Sequence, residues 1–499
     1  MFAWSDLMAG FAAALTPLNL LWCFVGAALG TFVGVLPGVG PTPAIAILLP
    51  ITGYLGPTPA IIMLAGIYYG SQYGGSTTSI LLNMPGEISS VPTCLDGYQL
   101  AKQGRAGPAL AMAAISSFVA GTLSLVGLTF FAPPLADIAL KFTPVEYVGL
   151  MVLALAVVIN LSGRFLTKGL ISAGFGLLLT AIGLDSITGE QRLTFGSTTL
   201  MNGIDFVVAA IGLFAIAEIL VSVEEQIGRI SVMKIGKLMP TLGELRDNVN
   251  TMLRATLLGF GLGMLPGVSA AVTAFIAYDA EKRLSNRPEE FGTGVLKGVT
   301  APEGANNAAT SGGFVPLFAF GLPSSAAMAM LLGALMIYGL QPGPIMWQQN
   351  PHFIWTVIAS MYVGNVMLLI LNLPLVGIWA KVCEIPYSIL APAVLIFCAI
   401  GAFSVRGNAF DLWVALIFGF IGYAMKKLGY PPAPMLLCMI LGDRLESSFR
   451  QSLVLSGGSY GIFVTRPITA TLLGLAVILT IASLIARRRS ATAAALMGD

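Results

Sequence analysis

Two short stretches, GVLPGVGPTPA (Gly34–Ala44) and GMLPGVSAAVTA (Gly263–Ala274), place proline and glycine inside strongly apolar sequence. Proline lacks a backbone N–H and glycine weakens helices, so both residues interrupt helical segments. In hydrocarbon, an interrupted helix leaves N–H and C=O groups unpaired, at a cost of several kcal/mol each. Such breaks persist only where they are buried in protein or line a polar cavity, so the nature of the surrounding segments decides the fold.

The composition places these segments in a membrane. The chain has 499 residues, of which 56% are hydrophobic and only 10% are charged, whereas a soluble domain carries about 25% charged residues. Apolar stretches of roughly 20 residues, long enough to cross a bilayer, recur along the chain. The clearest are Leu110–Phe131, Val145–Leu161, Phe206–Val223, Phe353–Leu373, Tyr387–Phe403 and Ile468–Ala486. We expect an all-α polytopic membrane protein with roughly 10–14 transmembrane helices or half-helices.

The two halves of the chain echo each other. Each half follows its Leu-Pro-Gly-Val motif with a polar cluster and a second break, Met84-Pro85-Gly86 or Leu322-Pro323-Ser324. This pattern predicts two degenerate repeats with broken or re-entrant helices. The expected divisions are a first half at 1–223 with an N-terminal interfacial helix, a linker at 224–248, a second half at 249–460, and a terminal helix with a basic tail at 461–499. We expect no removable signal peptide. The linker and the tail carry the clustered lysines and arginines, which predicts a cytoplasmic location for both.

Broken helices at corresponding positions of two halves are typical of the central site of a transporter. Helix N-termini offer free N–H donors and the positive end of a dipole, which suit an anion, and freed carbonyls can coordinate a cation. The clusters SQYGGSTTS (Ser71–Ser79) and NNAATSGG (Asn306–Gly313) add uncharged hydroxyls and amides. The alternatives are a proline kink with close glycine packing, and helix contacts through small residues.

Ionisable residues at membrane depth are functional candidates. Glu303 precedes an asparagine pair and Glu87 follows the first Pro-Gly break, so either residue could take a proton or hold a cation. A structural ion pair of Glu303 with Lys297 is equally compatible with the sequence. The candidates for holding a coupling ion are Glu303, Glu87, Asn83 and Ser324.

A charged helix follows near the C-terminus. Asp443, Arg444, Glu446 and Arg450 come after a short apolar run, and the spacing of Glu446 and Arg450 predicts an ion pair on one helix face. One interpretation is an interfacial helix that closes the fold. The other is a cytoplasmic gate or a contact with another subunit.

Several function classes are disfavoured. The chain has one histidine and five scattered cysteines, so the sequence predicts neither a metal site nor a histidine-based catalytic triad. We expect no enzymatic activity and no cofactor apart from Na⁺ as a coupling ion. A membrane-embedded enzyme acting on a lipid-linked or peptide substrate, and a non-transporting channel or scaffold, are the alternatives.

With these motifs the chain resembles the large membrane subunit of the tripartite tricarboxylate transporters, the TctA family. The resemblance lies in the two Gly-x-Leu-Pro-Gly-Val motifs, in the stretches Tyr68–Glu87, Asp96–Leu110 and Ala301–Pro323, and in GALMIYGLQPGP and LGDRLESSFRQSL. It implies a symporter of the bacterial inner membrane that imports di- or tricarboxylates, or related organic acids such as aromatic carboxylates, with sodium or protons. It also implies two partners, a small four-helix membrane subunit and a periplasmic solute-binding protein, and two repeats of opposite membrane orientation.

The resemblance further implies a substrate site drawn from both halves. The residues are Pro37, Gly38, Val39, Gly40, Ser76, Thr77 and Thr78 from the first half, and Pro266, Gly267, Val268, Ser269, Asn306, Asn307 and Ala308 from the second. Gly40 in the first motif corresponds to Ser269 in the second, so the two halves of the site need not be chemically equal.

Overall fold

The computed structural model describes residues 4–36, 38, 40–161, 166–185, 187–224, 233–385 and 387–496. The described part is almost entirely helical, which confirms the expected all-α polytopic membrane fold. Within it, seven helices are long and apolar enough to cross a membrane, and four shorter apolar helices accompany them. These numbers agree with the expected range of helices and half-helices.

The described residues of the first half form ten α-helices. They are α1 (Trp4–Ala14), α2 (Pro17–Val35), α3 (Pro41–Thr52), α4 (Pro57–Leu82), α5 (Val91–Lys102), α6 (Ala106–Ala139), α7 (Pro144–Leu161), α8 (Leu166–Thr180), α9 (Phe206–Ala210) and α10 (Ala217–Glu224). A π-helical turn, Ile211–Ile216, joins α9 to α10, and short 3₁₀ turns lie at Ile88–Ser90 and Thr199–Asn202. A two-stranded antiparallel hairpin pairs β1 (Gly183–Leu184) with β2 (Gln191–Arg192).

The second half contributes the remaining helices. They are α11 (Leu242–Gly263), α12 (Ala270–Leu284), α13 (Lys297–Gly312), α14 (Phe314–Phe320), α15 (Ala326–Ile337), α16 (Pro344–Gln349), α17 (Pro351–Asn372), α18 (Val376–Val382), α19 (Tyr387–Arg406), α20 (Ala409–Leu428), α21 (Pro432–Leu455), α22 (Ile462–Thr465) and α23 (Pro467–Leu496). A 3₁₀ turn at Pro288–Glu290 precedes α13.

Both Leu-Pro-Gly-Val motifs break a helix, as the sequence predicts. The first motif separates α2 from α3, and Gly38 and Gly40 in it have φ of +82° and +63°. The second motif separates α11 from α12, and Gly267 in it has φ of +86°. Side chains disfavour this left-handed region, so glycine is the residue that the break requires.

Each break belongs to a three-helix unit whose first and third helices lie parallel in close contact. In the first unit (α2, α3 and α4), a Cβ on Gly30 or Gly34 would lie 2.6 or 2.3 Å from the carbonyl oxygen of Ile67 or Ser71. In the second unit (α11, α12 and α13–α14), Gly259 and Gly263 lie against Ala305 and Ala309, where a Cβ would come within 2.5 Å of each carbonyl oxygen. Glycine is needed at these positions because the helix backbones touch.

The third helices of the two units end alike. Asn83 ends α4 and Gly321 ends α14, both in the left-handed conformation, with φ of +58° and +71°. Pro85 and Pro323 follow at the same distance along the chain. The second breaks that the sequence predicts are therefore present, and they fix which residues of the two units correspond.

The remaining helices pack around the two units. Helix α6 packs on α13 and α11, and α17 packs on α1, α2 and α4. Helix α21 packs on α7 and α8, α23 packs on α7, and the π-helical turn packs on α20. Helices from the two sequence halves are thus interleaved, and each third helix is enclosed.

Candidate functional site

Glu303 lies at the contact between the two units. It sits on α13 with a side chain that is 0% exposed. The hydroxyl of Ser76 on α4 donates to its Oε2 at 2.7 Å, and the hydroxyl of Thr93 on α5 donates to its Oε1 at 2.5 Å. Asn306 donates to Oε2 at 3.4 Å. A carboxylate of the second unit is therefore held by hydroxyls from the first half of the chain.

Glu303 has no cationic partner among the ion pairs of the described residues. The pairing with Lys297 that the sequence allowed is absent from those ion pairs, and all polar contacts of the Glu303 carboxylate are with neutral groups. Glu281, a second buried carboxylate, shows the usual arrangement: Arg254 donates to it at 2.6 Å. A buried carboxylate needs a compensating cation. Glu281 has one in Arg254, whereas Glu303 has none among the ion pairs of the described residues.

The asparagine pair of α13 extends this network to α6. Asn307 Nδ2 lies 2.8 Å from the hydroxyl of Ser117, 2.7 Å from Oδ1 of Asn306 and 3.1 Å from the carbonyl oxygen of Glu303. Ser117 also donates to that carbonyl oxygen at 3.3 Å. Asn306 and Asn307 are 0% and 3% exposed. The structure therefore brings together four of the candidate residues, Ser76, Glu303, Asn306 and Asn307.

The residues next to these four in the sequence contribute more to helix packing than to the polar network. Thr77 and Thr78 are buried on α4, and the Thr78 hydroxyl donates to the carbonyl oxygen of Gly75 at 3.3 Å. Ala308 packs against Gly259, where a Cβ on the glycine would lie 2.7 Å from the Ala308 methyl carbon. Ala308 therefore serves the helix contact between α11 and α13.

Glu87 lies against the first unit. Its side chain is 9% exposed, and the Ser89 hydroxyl donates both to it and, at 2.6 Å, to Oε1 of Gln72. Its Cγ lies 3.1 Å from where a Cβ on Gly75 would be, and its Cβ lies 3.7 Å from where one on Gly40 would be. Glu87 is therefore at the first break.

The two breaks of the first unit touch each other. The Gly38 N–H donates to the carbonyl oxygen of Gly86 at 3.2 Å. A Cβ on Gly38 would lie 2.8 Å from Oε1 of Glu218, and Glu218 forms an ion pair with Lys426. Glu218 on α10 and Lys426 on α20 reach the break only through tertiary packing, which the sequence does not reveal.

The second Leu-Pro-Gly-Val motif has different surroundings. Gly267 lies against the backbone of Val158 on α7, where a Cβ would come within 2.7 Å of the Val158 nitrogen. Val268 is buried, Pro266 is partly exposed, and Ser269 precedes α12 with its carbonyl oxygen accepting from the Thr273 hydroxyl at 3.0 Å. Pro37 and Val39 of the first motif lie outside the described residues.

The second breaks link the units a second time. The hydroxyls of Tyr68 on α4 and Ser325, which caps α15, lie 3.3 Å apart. Ser324 is 3% exposed, and its hydroxyl lies 2.4 Å from where a Cβ on Gly313 would be. Asn83 is exposed and caps α4 in the left-handed conformation, which is a backbone role. Whether Asn83 or Ser324 contacts a coupling ion stays a prediction.

Three contacts of the site were missed from the sequence: Thr93, Ser117 and the Tyr68–Ser325 pair. The consecutive serines Ser116 and Ser117 inside the apolar helix α6 were a usable signal, since polar pairs at membrane depth mark interhelical contacts. Thr93 offered no comparable signal. Helix α5, which carries Thr93, is also tied to the loop before α13: Asp96 accepts backbone N–H groups of Gly292, Gly294 and Val295, each at 2.9 Å.

Within the described residues, no group of three or more His, Cys, Asp or Glu side chains could hold a metal ion. The five cysteines are buried and unpaired. The polar centre is therefore built from one carboxylate, hydroxyls and amides.

The sequence is similar to a known family and to relatives in Agrobacterium vitis. The sequence model of the tripartite tricarboxylate transporter TctA family matches residues 20–437. An Agrobacterium vitis protein described as "Uncharacterized 52.8 kDa protein in TAR-I ttuC' 3'region" is 46% identical over 487 residues, which cover 97% of each chain. A second, described as "Uncharacterized protein in TAR-II ttuC' 3'region", is 44% identical over 229 residues, 46% of this chain and 95% of its own. No solved structure matches the chain.

Proposed function

The chain belongs to the tripartite tricarboxylate transporter TctA family, and we propose that it is the large membrane subunit of a binding-protein-dependent secondary transporter. In this proposal it imports di- or tricarboxylates across the bacterial inner membrane, coupled to sodium or protons. Its partners are a small four-helix membrane subunit and a periplasmic solute-binding protein. The two three-helix units are the repeats, inserted in opposite orientations.

The observation that carries the proposal is the setting of Glu303. Its carboxylate is fully buried, receives hydroxyl donors from the first half of the chain, and has no cationic side chain among its described ion-pair partners. A charge in such a place requires a compensating cation. A proton or a sodium ion that arrives with the substrate supplies it, and this links the coupling ion to the contact between the units.

The broken helices supply the anion side of the same chemistry. The N-terminus of α3 follows Gly40, and that of α12 follows Ser269. Free N–H groups and the helix dipole at such ends favour carboxylates. Because Glu303 is itself an anion, a cation between it and the substrate lowers their mutual repulsion, so the two ligands should bind cooperatively.

The test is uptake of labelled citrate and a panel of di- and tricarboxylates in cells that also express the small subunit and the binding protein. Each assay is run with sodium and with sodium replaced by choline. Accumulation that collapses in choline indicates sodium coupling, and accumulation that persists in choline but is abolished by a protonophore indicates proton coupling. Non-saturable movement down the gradient alone would contradict the proposal and favour a channel.

Glu303→Gln removes the charge and keeps the shape. We expect accumulation to fall by about 10-fold or more, because typical coupling free energies correspond to 5–150-fold effects. The matched control is Glu289→Gln, an exposed residue of the loop before α13, which should accumulate substrate as the wild type does. Normal, gradient-dependent accumulation by Glu303→Gln, at a normal amount of protein in the membrane, would remove Glu303 from the coupling site.

A further inference from the structure

A cavity of about 660 Å³ lies between α7, the end of α14, α21 and the loop that follows α15. This volume is in the range of small-molecule sites. Its apolar wall includes Met151, Phe320, Met336 and Ile345, and its polar lining includes Tyr147, Gln341, Arg444, Ser447, Ser448 and Gln451. The cavity thus combines an apolar wall with hydroxyl, amide and guanidinium groups.

Helix α21 presents two different faces. The residues that line the cavity, Arg444, Ser447, Ser448 and Gln451, are spaced three and four apart, so they form one stripe of the helix. Glu446 and Arg450 lie outside this stripe, on the side of α21 that contacts Arg192 and Asp185. They form an ion pair at 2.5 Å, and Arg192 donates to Glu446 at 2.8 Å. The charges on that face are therefore compensated within the protein.

Arg444 differs from these paired charges. Among the described residues that line the cavity it is the only charged one, and it is in no ion pair of that part of the chain. Arg450 and Arg192, by contrast, each contact Asp185 as well as Glu446. A guanidinium that is in no ion pair of the described residues, in a cavity with hydroxyl and amide groups, is suited to bind an external anion.

The cavity adjoins the second break of the second unit. Phe320, the last residue of α14, lines it. A Cβ on Gly321 would lie 3.1 Å from a terminal nitrogen of Arg444, so the guanidinium lies directly on the left-handed residue that precedes Leu322-Pro323-Ser324. An anion on Arg444 is thus held next to the segment that connects to Ser325 and Tyr68.

The geometry points to a carboxylate-binding vestibule in this cavity, in which Arg444 takes one carboxylate group of an organic acid. Ser447, Ser448 and Gln451 hydrogen-bond the polar part of that acid, and the apolar wall contacts its carbon chain. The identification of the acid as the transported solute rests on the proposed function. The polar clusters Ser71–Ser79 and Asn306–Gly313 contain no arginine. In the vestibule, Arg444 supplies one.

The test is binding to the purified full chain in lipid nanodiscs, measured by calorimetry with citrate, succinate and tricarballylate. Arg444→Gln should weaken binding of the best of these acids roughly 10–100-fold, the usual effect of losing a charge-assisted hydrogen bond. Arg444→Lys keeps the charge but loses the fork, so its affinity should be intermediate. The matched control, Arg450→Gln, removes the same charge outside the stripe and should leave the affinity unchanged.

A second measurement covers the case in which Arg444→Gln does not fold. The five native cysteines are buried, so a cysteine introduced as Ser448→Cys should be the site that a water-soluble maleimide labels. Citrate should slow this labelling, and it should not slow labelling of Asn286→Cys in the exposed loop before α13.

The outcomes separate this inference from the proposed function. Equal affinity of Arg444→Gln and wild type, no protection of Ser448→Cys, or no binding of any of the three acids would overturn the vestibule, while gradient-driven uptake dependent on Glu303 would leave the transporter standing. Arg444-dependent binding by a chain that accumulates nothing would support the vestibule and contradict the proposed function.

Discussion

After its second proline break the first unit places Glu87, whereas the second unit places Ser325 at the corresponding position. On the third helices the relation is reversed, since Glu303 of α13 corresponds to Ala65 of α4. These correspondences follow from the left-handed ends at Asn83 and Gly321 and from the matching prolines. Each unit therefore contributes one buried carboxylate, from a position where the other unit has a small or neutral residue.

The two three-helix units therefore share their backbone arrangement but not their charged residues. The breaks and the glycine contacts recur because two helices can approach so closely only through small residues. The charged positions do not recur. The break of the first unit faces Glu218, which is paired with Lys426, while the last break of the second unit faces Arg444, for which the described residues provide no ion pair. The charge beside the break of the first unit is thus neutralised within the protein, whereas the charge beside the last break of the second unit can bind an anion.

The largest expected effect tests the shared backbone. Gly34→Leu and Gly263→Leu would drive a side chain into the facing helix, where a Cβ would already lie 2.3 Å from the Ser71 oxygen or 2.5 Å from the Ala309 oxygen. Because the helix backbones cannot separate without breaking the unit, we expect both variants to lose nearly all folded protein. The measurement is the monodisperse peak of a fluorescent fusion on size-exclusion chromatography in detergent.

Gly261→Leu is the control for this pair. Gly261 is on α11, two residues before Gly263, and has open space where its Cβ would be. It should therefore accept leucine with a normal peak. If Gly34→Leu folded normally and Gly263→Leu did not, the structural equivalence of the two units would be wrong.

The shared backbone is also what the sequence predicted best. Both Leu-Pro-Gly-Val breaks, both second breaks and the membrane fold are confirmed, because proline, glycine and apolar length act locally. Within the site, the candidates Ser76, Glu303, Asn306 and Asn307 lie in one hydrogen-bonded network, and their role in binding stays a prediction. Their partners Thr93 and Ser117 were missed, because a hydroxyl on another helix becomes a ligand only through tertiary packing. The repeat orientation and the division of the chain into domains stay predictions.

A smaller effect tests the chemical asymmetry. Glu87→Gln removes a buried charge at the first break, and Ser325→Ala removes a hydroxyl at the corresponding position of the second unit. We expect Glu87→Gln to lower initial uptake by about 10-fold. Ser325→Ala should lower it only a few-fold, since each of the neutral hydrogen bonds that it removes contributes about 1 kcal/mol. Uptake rates in the same cells, normalised to protein in the membrane, provide the measurement, and equal losses would contradict the asymmetry.

Helix α21 shows where sequence reasoning reached its limit. The spacing of Glu446 and Arg450 predicted their ion pair, which is confirmed at 2.5 Å. The sequence could not show that Arg192 and Asp185 of the β1–β2 hairpin complete this network. Nor could it separate Arg450, which is paired, from Arg444, which lines the cavity, because the two residues have similar neighbours in the chain and differ only in the helix face.

The smallest effects belong to this hairpin network, which lies outside both units and so gives a baseline for the comparison between them. Glu446→Gln should leave the KM for uptake within about twofold of the wild type, since the other charges of the network still pair. Arg444→Gln, in the cavity, should raise that KM. A large change of KM in Glu446→Gln would instead mean that the network takes part in binding or gating.

Acid should affect the same network in a predictable direction. The backbone N–H groups of Thr188 and Ile187, with Arg450, hold the pKa of Asp185 well below its usual value. A depressed pKa means that the folded protein favours the ionised form, so this stabilisation is fully present above the unfolded pKa of about 3.9 and is lost as the pH falls further. Asp185→Asn should therefore lower the thermal midpoint by about 2 °C at pH 7, and the difference should shrink below about pH 4. If the difference in thermal midpoint grew on acidification, the folded protein would favour the protonated form of Asp185. The network could then not serve as the baseline for the comparison of the two units.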